Sequence, residues 1–157
     1  MQSSAGSGYI ENIVHRYSDT IVRVAFQYVK TRADAEDIMQ EVFVALIKQP
    51  PFSGHEHLKA WLIRVTVNKC KNHLKKLKRR NETQLADAEN SLTEEQQSVL
   101  DELEQLPPKD RAVIYLYYFE GYKTREVAKL LGMREKAAAM RLSRARSKLK
   151  ELLEEGQ

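Results

Sequence analysis

Apolar residues recur at intervals of three and four along nearly every segment of this chain, and no stretch needs the alternation of a strand. From Ile10 the pattern runs through Ile13, Val14, Tyr17, Ile21, Val24, Ala25 and Tyr28, one stripe of a long amphipathic helix. Thr31 can cap a second helix with Asp34 as its acidic capping partner, and Ala35, Ile38, Met39, Val42, Phe43, Leu46 and Ile47 form its stripe. The two should pack as a hairpin. Pro50-Pro51 then breaks helicity, because proline has no N–H to donate and holds its predecessor out of the helical region. A third helix is expected from about Glu56, with Leu58, Trp61, Leu62 and Val65 as its buried face. Thr93-Glu94-Glu95-Gln96 reads as a capping box opening a helix through Val99, Leu100, Leu103 and Leu106. Pro107-Pro108 interrupts again. A helix through Ala112, Val113, Leu116, Tyr117 and Phe119 can end at Gly121, followed by a short helix over about Thr124 to Leu131 and a last one over about Arg134 to Glu154. The expected fold class is all-α.

A chain of 157 residues, 42% of them hydrophobic, can bury one ordinary core or two small ones. The polar break after Arg80 favours two. The expected organisation is a disordered arm over residues 1–8, a helical domain over 9–80, a partly helical acidic linker over 81–105 and a second helical domain over 106–154. Charge follows the same division. Lys59, Arg64, Lys69, Lys71, Lys75, Lys76, Lys78, Arg79 and Arg80 carry only positive charge, residues 82–105 carry only negative charge, and Arg134–Lys150 is again strongly basic. The formal net charge of +4 conceals these blocks by cancellation. Basic, acidic, basic is the order expected of two nucleic-acid-facing modules on an acidic tether. The sole cysteine, Cys70, excludes an intramolecular disulfide and fits a reducing compartment. No apolar run approaches the roughly 20 residues of a membrane span, so a cytoplasmic protein without membrane insertion is expected.

The most informative local pattern is Thr124-Arg125-Glu126-Val127-Ala128-Lys129-Leu130-Leu131-Gly132-Met133 followed by the basic helix. Ala128 permits close helix approach, Gly132 supplies the turn, and the next helix presents arginines, the pattern of a DNA-binding helix-turn-helix. On charge alone a solvated cationic helix would be as good a reading; the turn pattern decides against it.

Leu106-Pro107-Pro108-Lys109-Asp110-Arg111, Tyr118-Phe119-Glu120-Gly121-Tyr122, Glu126-Val127-Ala128, Leu131-Gly132 and Arg141-Leu142-Ser143-Arg144-Ala145-Arg146 together resemble the fourth region of bacterial sigma factors. Asp34-Ala35-Glu36-Asp37-Ile38-Met39-Gln40-Glu41-Val42-Phe43 is similar to the region-two signature, and Phe52-Ser53-Gly54 through Trp61-Leu62 and Asn68 to the segment after it. Both motifs, in this order and with a short connector, resemble the extracytoplasmic-function class of the sigma-70 superfamily.

The resemblance implies a non-enzymatic specificity subunit of RNA polymerase that needs no cofactor. It implies docking of Asp34, Asp37, Gln40 and Glu41 on a coiled coil of the largest polymerase subunit, and a contact with the flap of the second-largest. It places Phe52, Ser53, His55, Asn68, Lys69, Lys71, Asn72, Lys75 and Lys76 against an opened promoter minus-ten element. Thr124, Arg134, Lys136, Ala137, Arg141, Arg144, Arg146 and Lys148 fall to a minus-thirty-five duplex. The connector would thread toward the polymerase channel, and an anti-sigma factor would hold the protein inactive. Between Leu58, Leu62 and Val65, Trp61 is expected in the core rather than under a base.

Three departures bear on readout. Lys136-Ala137-Ala138-Ala139-Met140 stands where the family commonly has a Gly-Thr-Val-Lys-Ser-like run, which leaves Arg134, Lys136 and Arg141 with alanines against thymine methyls, or else weak duplex binding. Lys123 replaces the usual capping serine, leaving Thr124 as a shifted cap. Asn72 stands where an acid often follows the motif asparagine. Rival readings are a stand-alone helix-turn-helix regulator, an enzyme, for which no phosphate loop or nucleophile elbow is found, and a metal site from His55, His57, Cys70 and His73.

Overall fold

The computed structural model describes residues 3–81 and 106–155, and all regular structure among them is helical. The chain divides into two compact units, Met1–Ala88 and Glu89–Gln157. The expected helix opened by Thr93 lies outside the described residues, as does the rest of the acidic stretch 82–105.

In the first unit α1 (Ser3–Ala25), α2 (Arg32–Ile47) and α3 (His55–Asn81) pack on one another. α1 begins at Ser3, within the stretch 1–8 expected as an arm. Adding residues to an existing helix fixes one residue per hydrogen bond, whereas starting one is costly, so the downstream stripe can extend the helix backwards. Thr31 caps α2 as expected, its Oγ1 accepting from the Asp34 N–H at 3.1 Å. The Asp34 carboxylate does not complete the box; it faces His73 of α3, Oδ2 to Nε2 at 3.5 Å. Ile21, Val24, Ala35, Ile38, Val42, Leu46, Leu62, Ile63 and Val67 make the dry centre, each large side chain contributing about 1.5–3 kcal/mol relative to exposure. Ile47 of the expected α2 stripe is instead exposed.

The buried face of α3 is rotated from the expected one. Leu58, Leu62, Ile63, Thr66, Val67 and Cys70 face the core, while Trp61 and Val65 are half-buried. Thr66 can be buried because its hydroxyl donates to the Leu62 carbonyl at 2.7 Å.

In the second unit α4 (Pro108–Ile114) runs directly into a π-helical turn (Tyr115–Phe119), then α5 (Thr124–Leu131) and α6 (Glu135–Glu155). Pro108 fits the first turn of α4, where its missing N–H would have no helical partner. Gly132 ends α5 at φ 69°, in the left-handed region, and the Met133 N–H donates back to the Ala128 carbonyl at 2.9 Å. That turn lets α6 pack on α5, with Ala138 and Ala145 fully buried on its inner face. Thr124 is the first helical residue rather than a cap. Lys123 precedes the helix, and its N–H donates to Glu126 Oε1 at 3.0 Å. A lysine side chain has no acceptor, so only this half of a capping box exists.

Candidate nucleic-acid interface

Because α3 is one uninterrupted helix, its outward residues form a continuous ribbon. His57, Trp61, Arg64, Asn68, Asn72, Lys75 and Arg79 follow one another at helical spacing on the side away from Thr66 and Cys70, and all but Trp61 and the core-facing neighbours are exposed. Trp61, expected in the core, is half-buried. Its ring lies 5.4 Å from that of Phe52, tilted by 49°, and Phe52 also meets His57 edge-on at 6.0 Å. Aromatic rings, then amide edges, then cations are the three things a single strand needs: stacking, base-edge hydrogen bonds and phosphate contacts. Lys76 is also exposed, while Lys69 and Lys71 are half-buried along the flanks.

The loop ahead of α3 is held against α1. The Phe52 N–H donates to the Tyr9 hydroxyl at 3.2 Å, and a groove of about 530 Å³ opens between them, lined by Tyr9, Asn12, Arg16, Phe52, Ser53 and His55 among others. Its volume is within the range that accommodates a nucleoside-sized group. Tyr9 and Arg16 were missed in the sequence because nothing local links α1 to a loop so far along the chain.

On α2, Asp37, Gln40 and Glu41 are exposed and Asp34 half-buried beside His73. Val44 and Ile47 are exposed on the same side. The face is therefore mixed, acidic toward its start and apolar toward its end.

The basic residues of α6 and of the position before it differ in what they touch. Arg134, just ahead of the helix, Lys136, Arg144, Arg146 and Lys148 are exposed. Arg141 is not free to reach outward, since its Nη1 donates to Asp110 Oδ1 of α4 at 2.8 Å. Arg146 lies over the rings of Tyr117 and Tyr118, at 5.3 and 5.4 Å from their centroids. Its Nε donates to the Tyr118 hydroxyl, which pushes the guanidinium pKa up. The alanine run is only partly outward: Ala137 is half-buried, Ala138 fully buried and Ala139 exposed. Thr124 is half-buried at the start of α5.

The four proposed metal donors are not brought together. His55 and Cys70 lie on the same helix, about 22 Å apart at the α-helical rise. Burial, with a smaller contribution from the Glu41 charge, pushes the Cys70 thiol up to about 12, so no thiolate is available near neutrality.

Comparison with known proteins finds a family model matching part of each unit. Residues 13–80 match the family model for sigma-70 region 2, and residues 96–149 match that for sigma-70 region 4. The RNA polymerase sigma-E factor of Streptomyces avermitilis is 31% identical over 151 residues, covering 92% of this chain and 84% of that protein. A probable RNA polymerase sigma factor of Xanthomonas campestris, RfaY, is 31% identical over 164 residues; the match takes in 90% of this chain but 40% of that longer protein. Among solved structures, the sigma factor RpoE of Bartonella quintana in complex with the anti-sigma factor NepR superposes with a TM-score of 0.77 at 22% identity. That match covers 92% of this chain and 96% of the other.

Proposed function

The chain belongs to the extracytoplasmic-function class of the sigma-70 family of RNA polymerase sigma factors, and from that premise we propose how its surfaces divide the work. The first unit holds core polymerase through α2 and an opened promoter strand through α3. The second places α6 on an upstream duplex. The protein itself catalyses nothing; it is a specificity subunit.

The observation that carries this reading is the exposed strip on α2. Asp37, Gln40 and Glu41 lead into Val44 and Ile47, which remain uncovered although the opposite side of the same helix is dry. A basic partner helix would satisfy the acids and cover the two apolar side chains together, the pattern of an interface with a hydrophobic centre and a charged rim. On α3, the Phe52–Trp61 pair and the groove beside Tyr9 offer stacking surfaces to unpaired bases, with Asn68 and Asn72 presenting amide edges. Extracting a base costs a few kcal/mol, which stacking and edge contacts offset.

An anti-sigma factor is a second partner in this reading. The Bartonella protein is solved in such a complex, and the faces needed for polymerase and DNA are those such a partner would have to cover. The test is reconstitution: the chain added to core polymerase should produce promoter-dependent initiation that neither component supports alone.

A further inference from the structure

Among the described side chains of α6, Met140 is the exposed large apolar one, at 53% relative exposure, on an outward face whose other described residues are polar or charged. It occupies the second turn, and the helical period sets it opposite the buried Ala138, Leu142 and Ala145. Lys136 lies one turn before it and Arg144 one turn after, both exposed, with Ser143 and Ser147 alongside. Arg141 and Arg146, nearer the packed side, are engaged with Asp110 and the Tyr117–Tyr118 pair. The outward face of α6 therefore carries a flexible apolar side chain between two cations.

We propose that Met140 is a specificity-determining residue that reads a thymine C5-methyl in the major groove of the upstream promoter duplex. The assignment rests on the reading of α6 as the duplex-facing helix. Charge selects the occupant: Lys136 and Arg144 would oppose an apolar protein surface but suit flanking phosphates, and a polyanion with an apolar group in a groove wide enough for a helix is duplex DNA. Thymine alone offers a methyl there. The first turns of a recognition helix are also those that reach base edges. Arg144 and Lys136 then position the helix, and Met140 distinguishes thymine from the other bases without a hydrogen bond.

The test uses holoenzyme assembled from the full chain and core polymerase, with a promoter selected from a random duplex library and its upstream element located by footprinting. Each thymine of that element is replaced in turn by deoxyuridine, which removes only the methyl. One replacement should weaken wild-type binding about fourfold, the worth of one buried methyl-sized group. Met140→Ala should bind thymine and deoxyuridine duplexes equally, whereas Arg144→Ala should bind both more weakly and keep the wild-type ratio. An upstream element without thymine, wild-type indifference at every thymine, or a ratio retained in Met140→Ala would overturn the assignment while leaving the sigma reading intact. Failure of the holoenzyme to select any promoter would overturn both. Loss of core binding by Met140→Ala would assign the side chain to a protein partner instead.

Discussion

Arg141 of α6 and Asp110 of α4, 31 positions apart in sequence, are joined by a 2.8 Å hydrogen-bonded ion pair. The Asp110 side chain is 13% exposed and that of Arg141 29%, so water competes only partly for either charge. The bond fixes α6 to α4. Removing one partner leaves the other partly buried and unpaired, at a cost of about 1–3 kcal/mol. Asp110→Ala and Arg141→Ala should each lower stability by that amount, and the double variant should lose less than their sum, measured by urea unfolding. Additive losses would mean the pair is not coupled.

The same geometry separates the arginines of α6 in DNA binding. Replacing exposed Arg144 or Lys148 with Ala should reduce the slope of log affinity against log salt by about one each, the loss of one phosphate contact. Arg141→Lys, which retains a charge near Asp110, should leave that slope unchanged. Wild-type slopes for both Arg144→Ala and Lys148→Ala would place α6 away from phosphate, and a reduced slope for Arg141→Lys would place Arg141 on phosphate as well.

Trp61 should matter to the opened strand rather than to folding alone. Its half-buried ring against Phe52 is available to a stacking base, an interaction worth about 1–3 kcal/mol. Trp61→Ala should lower open-complex formation by about tenfold or more, read by permanganate reactivity of unpaired thymines, while upstream duplex affinity stays near wild type. Trp61→Phe should restore most of the loss. If both variants melt the promoter normally, the ring serves packing only.

Cys70 makes stability depend on alkaline pH. Burial raises the thiol from 9.0 to about 12 in the folded chain, so the unfolded chain loses its proton first. Stability from this group is therefore full below pH 9 and declines as pH rises from 9 toward 12, by about 1.4 kcal/mol per unit. Subtracting the pH profile of Cys70→Ala from that of the wild type should leave this decline. A flat difference would show that the thiol is not held protonated.

How much of this was readable in advance follows from the range of each signal. The stripe Ala35, Ile38, Val42, Leu46 is a local repeat, so the face of α2 emerged from spacing, and Gly132 marked the turn between α5 and α6. In α3 the lysines lie among the apolar residues, and the bulk of Trp61 drew the buried face one step around the helix, away from Ile63, Thr66, Val67 and Cys70. The π-helical turn Tyr115–Phe119 escaped because its residues suit an α-helix equally well. Charge blocks located the cationic helices but could not separate Arg141, held by Asp110, from Arg144, which is exposed; that distinction depends on a residue in another helix. The groove beside Tyr9 has the same origin, a contact between α1 and a loop 43 positions later.

In the proposed division of work, the chain docks on RNA polymerase through the α2 face and reads the promoter through α3 and α6. The most direct test is multi-round in vitro transcription with core polymerase, comparing wild type with a variant carrying Asp37→Lys and Glu41→Lys. Wild type should yield discrete promoter-dependent transcripts, and the variant, folded by circular dichroism, should yield few and fail to co-purify with core. Wild type that gives no such transcripts with competent core, while binding a palindromic duplex tightly by itself, would contradict the account and identify a stand-alone regulator.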